Sequence, residues 1–226
     1  MALLGPATEM SRKLRGLRPF RARDENLLLS QRVGPFAESF RLLALNVRRL
    51  MEGHSAKTLV VMSAFGGDGR STVAANLAIS IGEYGRVLLA DFRPDALRDP
   101  GWLQDAITNG NHGGTGEGRH GLPDTMPGPL LGTGHPQVWF MDPGERVLAG
   151  GRLSETIRAA GENGMFTVID SPPATESSDA YRLAEQAGKV LYVIRRKPQD
   201  MAVHRGVCDT LSRLGADVIG LVVNDF

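Results

Sequence analysis

The sequence predicts an α/β fold in which helices cover both faces of a mostly parallel, twisted sheet. Short apolar runs alternate along the chain with longer segments whose apolar residues recur every three or four positions. The short runs are almost continuously apolar, as expected for parallel strands that are buried on both faces. Two of them end in an aspartate, at Asp91 and Asp170, which is where ligands bind in open α/β sheets.

The first helix is predicted over residues 35–52, because its apolar residues form one stripe at helical spacing: Phe36, Phe40, Leu43, Val47 and Leu50. Pro35 suits the first turn of a helix and Gly53 suits its end. The same criteria give the later elements in order. Strands are expected at 58–62, 87–90, 138–141, 166–169, 190–194 and 218–223, and helices at 71–81, 153–160, 179–187 and 199–214.

Composition limits the class of protein. A chain of 226 residues is long enough for one domain with a substantial core, which we expect over 35–226. The net charge of +1 gives no reason to expect nucleic acid, and a single cysteine, Cys208, excludes an all-cysteine metal cluster. Without a signal peptide or a long apolar run, a cytoplasmic location is expected. Residues 1–34 are expected to be a flexible basic arm, and the glycine- and proline-rich segment 109–136 a mobile loop.

The most informative stretch runs from Ser63 to Thr72, between a predicted strand and a predicted helix. A glycine-rich turn at a helix N-terminus directs backbone N–H groups and the positive end of the helix dipole at one point, which favours a phosphate. The hydroxyl of Ser71 suits a Mg²⁺ ion that bridges the phosphates. Two residues depart from the general phosphate-loop pattern, since Ala64 replaces the first glycine and Arg70 replaces the lysine.

Asp91 and Asp170 each follow an apolar strand, and the carboxyl ends of parallel strands lie at one edge of a sheet. Right-handed crossovers would bring both carboxylates beside Arg70. We expect Asp170 to orient the water shell of Mg²⁺, and Asp91 to hold the metal or accept a proton.

Several motifs together carry a family resemblance: Glu38-Ser39-Phe40-Arg41 with Asn46, the phosphate loop with Asn76-Leu77-Ala78, Val87 to Asp91, Val168 to Pro173, and Gly220 to Asn224. On these residues the chain resembles the cytosolic kinase domain of bacterial tyrosine kinases that serve capsule and exopolysaccharide synthesis. That family lies within the P-loop ATPases that include the partition and division-site proteins. The resemblance covers residues 35–226.

The resemblance implies ATP or ADP with Mg²⁺ as cofactors, and a membrane protein that controls polysaccharide chain length as partner. It assigns nucleotide binding to Gly66, Gly67, Asp68, Gly69, Arg70, Ser71, Thr72 and Asn224, the last reading the adenine edge. Catalysis would fall to Arg70, Asp91 and Asp170, and metal binding to Ser71, Asp91 and Asp170. The protein would then be recruited to the inner face of the membrane.

Four departures from the family pattern predict weakened catalysis and weak self-association. Arginine is not equivalent to lysine at position 70, because its planar fork differs from a compact ammonium. The family's second strand carries two acids separated by one residue, whereas this chain reads Asp91-Phe92-Arg93. Position 44, an arginine in the family's oligomerisation motif with Glu38 and Arg41, is Ala44. The tyrosine cluster that often ends these kinases is missing before Phe226.

Two other functions stay open: a nucleotide-binding scaffold without catalysis, and a partition-type ATPase. The partition proteins carry an extra lysine early in the loop, where this chain has Phe65. An iron–sulfur reductase is excluded by the single cysteine, since a cluster needs several thiolates. A dinucleotide dehydrogenase is disfavoured because Thr72 stands where the third glycine of its motif belongs.

Overall fold

The structure, a computed structural model, describes residues 33–54, 57–93, 126, 130–142, 152–195 and 200–224. The expected arm lies outside the described residues except for its last two. So does the expected loop at 109–136, apart from residues 126 and 130–136.

Five helices and seven strands are described, and the predicted elements match them to within about two residues at each end. The helices are α1 (Pro35–Leu50), α2 (Arg70–Gly82), α3 (Arg152–Glu162), α4 (Asp179–Ala187) and α5 (Met201–Arg213). The strands are β1 (Thr58–Ser63), β2 (Val87–Asp91), β3 (Leu131–Gly132), β4 (Val138–Met141), β5 (Phe166–Asp170), β6 (Lys189–Arg195) and β7 (Asp217–Asn224).

The seven strands form one sheet in the order β3-β4-β2-β5-β1-β6-β7. Every pairing is parallel except that of β3 with β4, which is antiparallel. The predicted α/β fold with a mostly parallel sheet is therefore confirmed. The sequence did not predict β3, which lies within the segment expected to be a loop and pairs Leu131 with Phe140.

Buried apolar side chains form a core on each face of the sheet. On one face α1 and α2 pack over alternate residues of the central strands, among them Leu59, Leu89 and Val168. On the other face α3, α4 and α5 cover the residues between them, such as Val60 and Ile169. The central strands are buried at every position, which explains why most of their residues are apolar and do not alternate with polar ones.

Helix α1 carries the predicted apolar stripe, with Phe36, Leu43 and Val47 buried and the other two members packed against the core. Ala44 is fully buried in the same cluster. An arginine at this position would point into the domain's own core in the described arrangement. Across the described residues, no helix has the length and apolar character needed to cross a membrane.

Candidate functional site

The phosphate loop, residues 63–72, joins the carboxyl end of β1 to the first turn of α2. Two of its glycines have left-handed backbone conformations, Gly67 at φ 78° and Gly69 at φ 86°. Side chains strain such a conformation by about 1–2 kcal/mol, so glycine is required by the shape of the turn. Gly69 immediately precedes α2, and the positive end of that helix therefore faces the loop.

Asp68 and Asn224 support the loop from within the protein. The Asp68 carboxylate accepts a hydrogen bond of 3.1 Å from the backbone N–H of Phe65, which closes the turn. The side-chain amide of Asn224, at the end of β7, donates to the backbone carbonyl of Asp68 over 2.8 Å. Both side chains are almost completely buried. The adenine role of Asn224 stays a prediction, and its Nδ2 donor is already engaged in holding the loop.

Arg70 lies against the sheet. Its Nε donates to Oδ1 of Asp170 over 3.2 Å and its Nη1 donates to the Ser63 hydroxyl over 2.8 Å. The side chain is only 7% exposed. Two separate nitrogens of its planar fork make these contacts, so the arginine spans from the end of β1 to the end of β5.

Asp91 and Asp170 are directly paired on neighbouring strands β2 and β5, and both are buried. The structure therefore brings Arg70, Asp91 and Asp170 together at the carboxyl edge of the sheet, as the topology predicted. Burial raises the pKa of Asp170 above its ordinary value. The charge of Asp91 also raises it, whereas the charges of Arg70 and Arg93 and a hydrogen bond with Ser71 lower it.

Arg93 completes this cluster and was not among the predicted site residues. Its Nε and Nη2 bind the two carboxylate oxygens of Asp91 at 2.9 and 2.7 Å, and its backbone N–H donates to the same group. Its Nε also lies 3.2 Å from Oδ2 of Asp170. The sequence did contain a sign of the contact with Asp91: the two residues are two positions apart, and residues two apart in an extended chain point to the same side.

The segment after β5 is joined to the phosphate loop by backbone hydrogen bonds. Ala174 donates to the carbonyl of Ser63 over 2.9 Å, and Thr175 donates to the carbonyl of Ala64 through its backbone N–H and its hydroxyl. The next residue, Glu176, places a carboxylate oxygen 3.5 Å from where a Cβ on Gly66 would lie. Neither Thr175 nor Glu176 was predicted as a site residue, since only the tertiary fold brings them to the loop.

The expected Mg²⁺ ligands can be tested against this geometry. A serine hydroxyl and two carboxylates are oxygen ligands of the kind Mg²⁺ prefers. Both carboxylates, however, are in contact with guanidinium groups, and a divalent cation placed between them would face the positive charge of Arg93. The donor set as arranged does not fit a divalent cation.

No protein-family model matches this chain, and no curated protein sequence matches it either. Solved structures do. The BceF tyrosine kinase domain matches with a TM-score of 0.68 and 20% identity, over 99% of each chain. The kinase domain of the Escherichia coli tyrosine kinase ETK matches with a TM-score of 0.66 and 17% identity, over 93% of this chain and 85% of that one. The cell division protein MinD of Aquifex aeolicus matches with a TM-score of 0.54 and 16% identity, over 75% of this chain and 69% of that one.

Proposed function

We propose that this chain, which has the fold of these tyrosine kinase domains and of the MinD-type P-loop proteins, binds ATP or ADP at the phosphate loop. It would act as a protein of tyrosine-kinase type that regulates capsule or exopolysaccharide synthesis. The observation that carries this proposal is the turn at Gly67 and Gly69, which directs the N-terminus of α2 at a point beside Asp91 and Asp170. The extent of the kinase-domain match supports the same class.

We further propose that catalysis is weak. In phosphoryl transfer the basic residue of the loop stabilises the charge on the outer phosphates, and most of the catalysis is positioning of this kind. Here Arg70 is turned onto Asp170 and Ser63. Asp91, which would serve as base or metal ligand, is bound on both oxygens by Arg93. The same contacts favour the second candidate, a nucleotide-binding scaffold that performs little chemistry.

The resemblance supplies the remaining proposals. The partner would be a membrane protein that controls polysaccharide chain length, and the protein would act at the inner face of the membrane. Self-association through the α1 surface with Glu38 and Arg41 would be weak. In the described structure Arg41 binds Glu38 at 2.6 Å and Glu83 of the same chain at 3.3 Å, so its charge is already used within the domain.

Nucleotide binding is tested by calorimetric titration with ATP and ADP, comparing two glycine variants. Gly67→Ala and Gly215→Ala remove glycines with nearly equal backbone angles, φ 78° and 77°, and neither new Cβ would meet an atom within 4 Å. Both variants should lose similar stability, about 1 kcal/mol. Only Gly67→Ala should lose nucleotide affinity, because Gly215 precedes β7 at the opposite edge of the sheet. Absence of heat for the unchanged protein at millimolar nucleotide would refute the proposal.

Radiolabelled phosphate transfer from ATP separates the two candidates. A weak kinase should label tyrosines of an added substrate slowly, at a rate that increases with protein concentration. A scaffold should bind nucleotide with the same affinity and show no transfer above background. Equal binding by both Gly67→Ala and the unchanged protein would show that the nucleotide is held elsewhere.

A further inference from the structure

Arg93 has an unusual place for a cation, since it touches both carboxylates that a P-loop protein of this fold would use around a metal. It binds Asp91 with two nitrogens at 2.9 and 2.7 Å and lies 3.2 Å from Asp170. Only 10% of the Arg93 side chain is exposed, and the two carboxylates are 4% and 0% exposed. These are short, two-pronged and water-excluded contacts, the conditions under which an arginine–carboxylate pair is strongest.

The charges of the cluster balance without any added ion. Arg70 and Arg93 supply two positive charges, and Asp91 and Asp170 supply two negative charges. A divalent cation bound by the same carboxylates would have to displace Arg93 from Asp91 and so break a nearly buried ion pair. Breaking a buried ion pair in this way is strongly unfavourable, because the uncompensated charge has no water to solvate it.

We infer that Arg93 takes the place of the divalent cation, so that the phosphate loop binds nucleoside di- or triphosphate with little dependence on Mg²⁺. The inference rests on the proposed nucleotide-binding function. Arg93 acts here as a positioning residue: it keeps Asp91 and Asp170 neutralised, and the backbone N–H groups and the dipole of α2 attract the phosphates. The ligand class is therefore the free nucleotide polyanion, and the carboxylates have little affinity for a divalent ion.

The experiment has two measurements on the full chain. The first is the calorimetric Kd for ATP with excess MgCl₂ and with EDTA. The second is a titration of Mn²⁺ alone, followed by electron paramagnetic resonance, which reports on the carboxylates without nucleotide. Both are made on the unchanged protein, on Arg93→Gln and on Arg158→Gln. The last is the matched control, since Arg158 binds Glu162 at 2.7 Å on the surface of α3, where both side chains are more than half exposed.

For the unchanged protein and Arg158→Gln, the Kd for ATP should differ by less than about threefold between MgCl₂ and EDTA, and Mn²⁺ should not bind. In Arg93→Gln the carboxylates are released, so Mn²⁺ should bind and Mg²⁺ should tighten ATP binding by about tenfold or more, the value of one charge-assisted contact. Arg93→Lys, which keeps the charge, should behave more like the unchanged protein than like Arg93→Gln.

Failure of this inference differs from failure of the proposed function. If the unchanged protein binds ATP only with Mg²⁺, or binds Mn²⁺ tightly, the inference is overturned while nucleotide binding stands. If ATP gives no heat under any condition, the proposed function is wrong. The Mn²⁺ titration of the unchanged protein and of Arg93→Gln then still decides whether Arg93 excludes the ion. Should Arg93→Gln fail to fold, the Mg²⁺ dependence of the unchanged protein alone overturns or supports the inference.

Discussion

Replacing Arg70 by methionine tests whether this side chain stabilises the fold, as its position predicts. Methionine keeps an unbranched apolar side chain about as long as the arginine stem up to Nε, and it removes the charge and both hydrogen bonds. Because Arg70 is 7% exposed and Asp170 fully buried, the lost pair is a buried one, for which removal of one partner costs about 3–5 kcal/mol. Arg93 still lies beside Asp170, so we expect the lower end, about 3 kcal/mol.

A loss of that size should lower the melting temperature of a domain of this length by on the order of 10 °C. The assay is denaturant unfolding followed by circular dichroism, with Arg158→Met as the control. Arg158 forms an exposed pair on α3, and its loss should cost below about 1 kcal/mol. If Arg70→Met and Arg158→Met destabilise the protein equally, Arg70 does not lie on Asp170 in solution and points out toward the phosphates, as the usual lysine does.

Two further predictions concern catalysis and pH. Arg70→Lys should raise the rate of single-turnover ATP cleavage by about 10²-fold, because a lysine lacks the fork that holds Arg70 on Asp170 and Ser63 and can turn toward the phosphates. A slower variant would contradict this prediction. His204 is 3% exposed, with Nδ1 3.1 Å from the Tyr192 hydroxyl, and burial lowers its pKa against the opposing charges of Asp68 and Asp200. The folded state therefore favours the neutral form of His204. The free energy of unfolding should be highest above pH 6.5 and should decrease as the pH falls below that value, because the unfolded chain then binds a proton more readily than the folded protein does. Unfolding free energies at pH 7.5 and 5.5 should differ less for His204→Gln than for the unchanged protein, and an equal difference would show that His204 is not responsible.

The sequence was sufficient for the architecture because each element carries its own periodicity. The strands from Thr58 and Phe166 are mostly apolar and α1 has a single apolar stripe, so their burial could be inferred locally. The meeting of Asp91 with Asp170 also followed, because parallel strands end at a common edge. Strand β3 escaped prediction, since two residues within a glycine-rich segment have no period to detect.

The details of the site depended on contacts that no local pattern contains. Asn224 and Asp68 are 156 positions apart, and their hydrogen bond follows only from the position of β7 in the sheet. The direction of Arg70 depends on the Ser63 hydroxyl, which accepts a hydrogen bond from the guanidinium. The sequence predicts an eroded subunit contact at Ala44, because the burial of this residue in the core of its own domain is a tertiary property that no local pattern shows. The Asp91-Phe92-Arg93 stretch predicts one missing acid in the second strand, and no local pattern shows that Arg93 also contacts Asp170.

The hydrogen bonds from Ala174 and Thr175 to the carbonyls of Ser63 and Ala64 tie two distant parts of the chain together. Through them a displacement at the start of the phosphate loop would be carried to the segment that leads to α4. If nucleotide binds at the loop as proposed above, α4 is therefore the element through which the surface of the domain would respond to it.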